Sequence, residues 1–197
     1  MRKILEAIIV GVLFGLLAHV ADNFLPENFH FLFETGLIFI LPAFLLAFNM
    51  PLRRRETDCI IIAVVELLAT GLSYYLSKPF LTNQDIYITE ELIHYIPISI
   101  AIGIITGIVA YLGHSATNQI VRYGSVSLLP AIYTGNGVND IINTMENFQF
   151  TPEIGVKVIG GLLFYFLISG SNRFKLKSLG SFAALIAITA LFYLNMV

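Results

Sequence analysis

Nine of the eleven basic residues in this chain fall on one side of a membrane once its apolar runs are read as spanning helices. They are Arg2, Lys3, Arg53, Arg54, Arg55, Arg122, Arg173, Lys175 and Lys177. Lys and Arg are hard to translocate, so the loops that carry them are expected to be cytoplasmic and the chain to be an integral, polytopic membrane protein. Composition agrees: 57 % of residues are hydrophobic and 12 % charged, with a mean hydropathy of +0.82. A soluble domain carries about 25 % charged residues. No water-soluble fold could cover this much apolar surface.

At 197 residues there is room for six or seven helices of roughly 20 residues in a single membrane domain, residues 1–197. Apolar runs lie near residues 4–20, 31–49, 59–77, 94–113, 154–170 and 179–195. The first resembles a signal peptide in having Arg2 and Lys3 ahead of it. It is long for one, and Ala21 Asp22 Asn23 Phe24 offers no small-x-small cleavage site, so it is read as retained. A further run starts at Gly124 and lasts only about ten residues before Thr134 Gly135 Asn136 Gly137 interrupts it. If it re-entered, Arg173, Lys175 and Lys177 would sit outside while Asp140, Glu146 and Glu153 sat inside, so a broken but complete crossing is expected. The expected fold is therefore all-α, a polytopic membrane helix bundle of about seven spanning segments with the fifth broken. Its expected setting is a bacterial cytoplasmic membrane, amino terminus in the cytoplasm and carboxyl terminus outside.

Several chemistries are excluded or left without support. A net charge of -2, and no basic run longer than Arg53 to Arg55, gives no reason to invoke nucleic acid. Cys59 is the single cysteine and cannot form an internal disulfide. His19, His30, His94 and His114 lack the HExxH spacing that puts two imidazoles on one helical face. No GxSxG elbow or Walker A loop stands in usable context. The chain is accordingly expected to hold no metal and no cofactor and to have no catalytic residue. A lipid-modifying enzyme would need Asp140 and a histidine to meet near one headgroup layer.

Two features at membrane depth point to a solute or ion pathway. Glu66 lies roughly 12 Å from the cytoplasmic end of its span, where an ionisable group costs on the order of 2.5 to 3.5 kcal/mol and must face a cavity, a partner or a subunit interface. Alternatively it is a hydrogen-bonded glutamate joining helices, with Thr70, Ser73 or a tyrosine as partner; low polarity disfavours its charged form. The second feature is the run from Leu129 to Asp140. Pro130 removes a backbone donor, and Gly135 and Gly137 let a chain unwind. Asn136, Asn139, Asp140 and Asn143 would line an outward-opening vestibule, with Glu66 facing Pro130 to Tyr133 and Tyr133 as its donor. The plainer reading of the same run is a helix C-cap and turn. Gly11 and Gly15, and Gly103 and Gly107, give two GxxxG spacings that let backbones approach closely.

Ala47 Phe48 Asn49 Met50 Pro51 Leu52 Arg53 resembles the Phe-Asn-x-Pro-x-Arg signature of the small membrane module of the threonine/serine exporter family. Leu128 Leu129 Pro130 Ala131 Ile132 Tyr133, in a crossing that follows a short inner loop, is similar to a second stretch of that module. The likeness covers about residues 31–172. The family's paired Pro-Gly motif is reduced here to Pro130, and the first and last spans are extra. The resemblance implies export of a small amino or organic acid together with a partner subunit.

The expected function is a transporter or channel-like permease for a small solute, working in a lipid bilayer as a homo-oligomer or with a partner membrane subunit. The alternative is a non-transporting subunit or scaffold that meets its partner through Glu66 and the glycine faces.

Overall fold

The computed structural model describes residues 2–24, 37–50, 55–82, 90–144, 151–168 and 172–194. His30, Pro51, Leu52, Arg53, Arg54 and Glu146, singled out above, lie outside the described residues. Among those described there are seven α-helices: α1 Arg2–Phe24, α2 Leu37–Phe48, α3 Glu56–Thr82, α4 Glu90–Ser115, α5 Gln119–Thr144, α6 Pro152–Leu167 and α7 Asn172–Leu194. Among the described residues four stretches are long and apolar enough to cross a bilayer: Arg2–Phe24, Glu56–Ser77, Leu92–Ser115 and Arg173–Phe192. The protein is an integral membrane protein built from helices.

Local chemistry starts these helices where they start. The backbone N–H of Arg55 donates to Asp58 Oδ2 at 3.3 Å, half of a capping box, and Glu56 and Asp58 put negative charge at the positive end of α3. Thr151 precedes a proline at the first position of α6, where the missing N–H has no intrahelical acceptor to lose. The outward faces are apolar. Leu17 on α1 is 61 % exposed, Leu167 on α6 65 % and Leu176 on α7 74 %, an arrangement that suits lipid and not water.

Two compact units can be told apart, Met1–Tyr111 and Leu112–Val197, with the division inside α4. In the first unit α3 is central. α1 runs parallel to it, Gly11 against Glu66 and Thr70 and Gly15 against Thr70 and Tyr74. Its buried face, Ala7, Gly11, Gly15, Ala18 and His19, is mostly small, so the two backbones come close. α2 and α4 run the other way. Cys59 Sγ, at the start of α3, donates to the Ala47 carbonyl near the end of α2 (3.6 Å), while Gly107 and Gly103 of α4 sit on Ile60 and Val64.

In the second unit α5 packs against both other helices. α6 is antiparallel to it, with Gly161 against Pro130 and Thr134 and Gly137 against Lys157 and Val158. α7 is parallel, with Ser127 Oγ donating to the Ser178 carbonyl at 3.4 Å and Gly135 against Ile186 and Thr189. The break expected at Thr134 to Gly137 is not found, because α5 is one helix of 26 residues. Its glycines are contact points and not hinges: a Cβ at Gly135 would lie 2.7 Å from Thr189 Cβ, and one at Gly137 2.8 Å from Lys157 Cβ. Pro130 is accommodated within the helix, as Pro42 and Pro97 are in α2 and α4.

Tyr165, 2 % exposed, ties α6 to α7. Its hydroxyl lies 2.5 Å from the Lys175 carbonyl and 2.6 Å from Ser178 Oγ, and its ring stacks on Phe182 at 4.3 Å. Tyr165→Phe keeps the stacking and removes the hydroxyl, so the expected loss is about 1 kcal/mol. Thermal melts in detergent micelles read this directly, and an unchanged melting temperature would show that the hydroxyl contributes nothing.

Candidate functional site

Polar groups gather at one place in each unit. In Met1–Tyr111, Glu66 is fully buried on α3, roughly 16 Å along the helix from Arg55. The Thr70 hydroxyl, one turn on, donates to the Glu66 backbone carbonyl at 3.0 Å and lies 3.3 Å from Oε1. Oε2 accepts no hydrogen bond. A Cβ at Gly11 would lie 2.5 Å from the Glu66 carbonyl oxygen, so α1 is close enough to shut solvent away from this turn.

Thr70 also lines a cavity of about 240 Å³. Asp22 from α1, Phe39 from α2, Gly71, Tyr74 and Tyr75 from α3, and Tyr95 from α4 line it too. Local sequence explains the assembly. Gly71 has no side chain because the Tyr95 ring lies where its Cβ would be, and the Tyr95 hydroxyl then reaches the Leu67 carbonyl at 3.3 Å. Tyr74 donates its hydroxyl to Asp22 Oδ2. His19 meets the Tyr74 ring edge-on, centroids 5.5 Å apart. Asn23 donates to the His19 carbonyl at 2.8 Å, which fixes the last turn of α1 beside Asp22.

In Leu112–Val197 the centre is Lys157 on α6, its side chain only 7 % exposed. It donates to Asp140 Oδ2 on α5 at 2.8 Å and pairs with Glu153 one turn earlier on α6. Among the described residues no group of three or more His, Cys, Asp or Glu stands ready to hold a metal ion.

The candidate residues of α5 separate on the intact helix. Tyr133, Gly137 and Asp140, spaced i, i+4, i+7, share the stripe that meets α6. Asn136, Asn139 and Asn143, spaced i, i+3, i+7, share a second stripe. Along it Asn136 is half-buried, Asn143 exposed, and Asn139 5 % exposed with an Oδ1 that accepts no hydrogen bond. Pro130 is buried against Gly161, and Tyr133 lies over Gly160. The hydroxyl that reaches the Glu66 carboxyl belongs to Thr70, and Asp140 is held by Lys157.

The whole chain, residues 1–197, matches the family described as "Family of unknown function (DUF6518)". The chain belongs to this family. No curated protein and no solved structure matches it.

In this DUF6518 member, sequence reasoning missed Lys157, Asp22 and the tyrosines. A signal for Lys157 was present. It is one of the two basic residues, with Lys78, outside the nine that mark one face of the membrane, and Glu153 stands four residues before it. Asp22 and Tyr74 are 52 positions apart, and only the parallel pairing of α1 with α3 brings them together.

Proposed function

We propose that the chain is a permease for a small solute, and that the solute passes through the cavity above Glu66. The observation carrying this reading is the juxtaposition of the two. One hydroxyl, Thr70, both lines the cavity and bonds the buried carboxyl. An ionisable group at membrane depth is costly and marks solute or proton pathways, and a polar-ended space between spanning helices is where bundles place ligands. The permease would cross the membrane seven times. In its favour, α1 and α3 are parallel with α2 antiparallel to α3, and α5 and α7 are parallel with α6 antiparallel to α5, as successive crossings produce. At roughly 39 Å, α5 is long enough to span in spite of its polar residues. The basic loops put the amino terminus in the cytoplasm. Solute export with a partner subunit, implied by the threonine/serine exporter resemblance, is a proposal of the same class.

The test is flux through reconstituted protein. Solid-supported-membrane currents would be recorded on jumps of a cation (choline), a zwitterion (serine) and an anion (succinate), each across a pH series. At least one solute is expected to give a saturable response. Glu66→Gln keeps the shape and the Thr70 hydrogen bond, so stability is expected to hold within about 1 kcal/mol while the pH dependence of flux is lost. A wild-type pH profile in the Gln variant would leave Glu66 a structural residue. Silence for all three solutes from folded, inserted protein would overturn the permease.

A non-transporting subunit is the second reading. It is favoured by an open apolar groove of about 460 Å³ between α1 and α3, lined by Ile8, Val12, Val65, Leu68 and Leu72 among others, a shape that suits a partner helix.

A further inference from the structure

We propose that the cavity in the Met1–Tyr111 unit is a binding site for a small organic cation, an alkyl- or quaternary ammonium compound held between the tyrosine rings and the Asp22 carboxylate. This names a solute class for the permease and rests on the same cavity, but binding can be measured apart from flux.

Three observations select the charge of the ligand. The first is the wall. Tyr74 and Tyr75 meet at 5.1 Å and 89°, and Tyr75 and Tyr95 at 5.8 Å and 64°. These three tyrosines line one cavity, and the negative face of an aromatic ring attracts a cation that has shed its water. The second is Asp22. Tyr74 bonds one of its oxygens, and among the described residues no Lys or Arg pairs with it. A bound cation would supply the counter-charge that the described residues do not.

The third is the state of the donors. Thr70 commits its hydroxyl proton to Glu66, Tyr74 to Asp22 and Tyr95 to the Leu67 carbonyl. Among the described lining residues, an anion entering here would meet a carboxylate, no basic side chain, and four hydroxyls of which three have protons already given to acceptors. A neutral solute would bring Asp22 no counter-charge. A compact cation with an apolar surface satisfies both the carboxylate and the rings. The volume, about 240 Å³, is below the roughly 300 to 1,000 Å³ of drug-sized sites, so the ligand is small.

The experiment titrates the purified full-length protein in detergent micelles with choline, with tetramethylammonium, and with 3,3-dimethyl-1-butanol, the uncharged carbon isostere of choline. Calorimetry reads the binding. Tyrosine emission gives a second signal, because the chain has nine tyrosines and no tryptophan. Saturable binding of both ammonium ions is expected, with the isostere weaker by about tenfold or more. Asp22→Asn is expected to remove most of that preference, and Tyr75→Leu to weaken choline more than Tyr75→Phe, which keeps the ring. Equal affinity for choline and its isostere on the wild-type protein overturns the proposal without reference to any variant, and so does failure of both ammonium ions to bind. Ammonium binding without flux in proteoliposomes upholds this site and removes the permease. Flux of serine or succinate without ammonium binding does the reverse.

Discussion

Lys157→Met is expected to destabilise the protein by about 3 kcal/mol, the lower end of the loss incurred when one partner of a buried ion pair is removed. The lysine side chain is 7 % exposed and sits between two carboxylates, Asp140 at 27 % and Glu153 at 36 %. Methionine fills nearly the same space, so the loss is electrostatic. Two carboxylates on facing helices, α5 and α6, are left with no cation between them. Their partial exposure lets water recover some of the cost, which keeps the figure at the lower end. Removing all three charges together, Lys157→Met with Asp140→Asn and Glu153→Gln, is expected to return stability to within about 1 kcal/mol of the wild type, since a neutral set replaces a charged one without an orphan. Unfolding in detergent micelles, followed by helical circular dichroism, measures both variants. If the single variant melts like the wild type, the ion pairs do not hold α5 to α6. If the triple variant is no better than the single, the loss is one of packing and not of charge.

The parts of the fold that were legible in the sequence are those set by short-range composition. Apolar runs bounded by Arg2 and Lys3, by Arg55 and by Arg173 to Lys177 locate α1, α3 and α7, because hydropathy over about 20 residues reports directly on what a bilayer accepts. The interior was less legible. Gly135 and Gly137 beside Asn136 read locally as a place to unwind, yet each glycine is dictated by a helix that passes over it, and which helix passes is not written near residue 135. Glu66 is legible as costly, since burial of a carboxyl at that depth needs no partner to be recognised. Thr70, one of the partners the sequence offered for it, lies four positions on, where helix geometry brings its hydroxyl to the carboxyl. The cavity wall was the least legible part. Asp22, Tyr74 and Tyr95 come from three helices, and no spacing rule links them.

Gly107→Ala and Gly15→Ala are expected to cost about 2 kcal/mol each, and the same change at Gly124 or Gly180 to cost nothing or to stabilise by about 0.5 kcal/mol. The difference lies in what the new methyl meets. At Gly107 it would run into the backbone of Ile60, with the Cys59 carbonyl 2.9 Å away. At Gly15 it would run into the Thr70 carbonyl and lie 3.0 Å from the Tyr74 amide. Backbone cannot rotate aside as a side chain can, so α4 or α1 must move off α3. At Gly124 and Gly180 nothing stands within 4 Å, and only the loss of glycine's conformational freedom registers. Opposite signs for one chemical change separate tertiary packing from helix propensity, and reversible unfolding of the four variants measures them side by side. Equal effects at all four positions would show that the GxxxG spacings do not hold the helices together. The displacement also reaches the cavity, because α1 carries Asp22 and α4 carries Tyr95. Gly15→Leu moves the first away from Tyr74, and Gly107→Leu moves the second away from Gly71. Both are therefore expected to weaken choline binding more than they change the helical content read by circular dichroism.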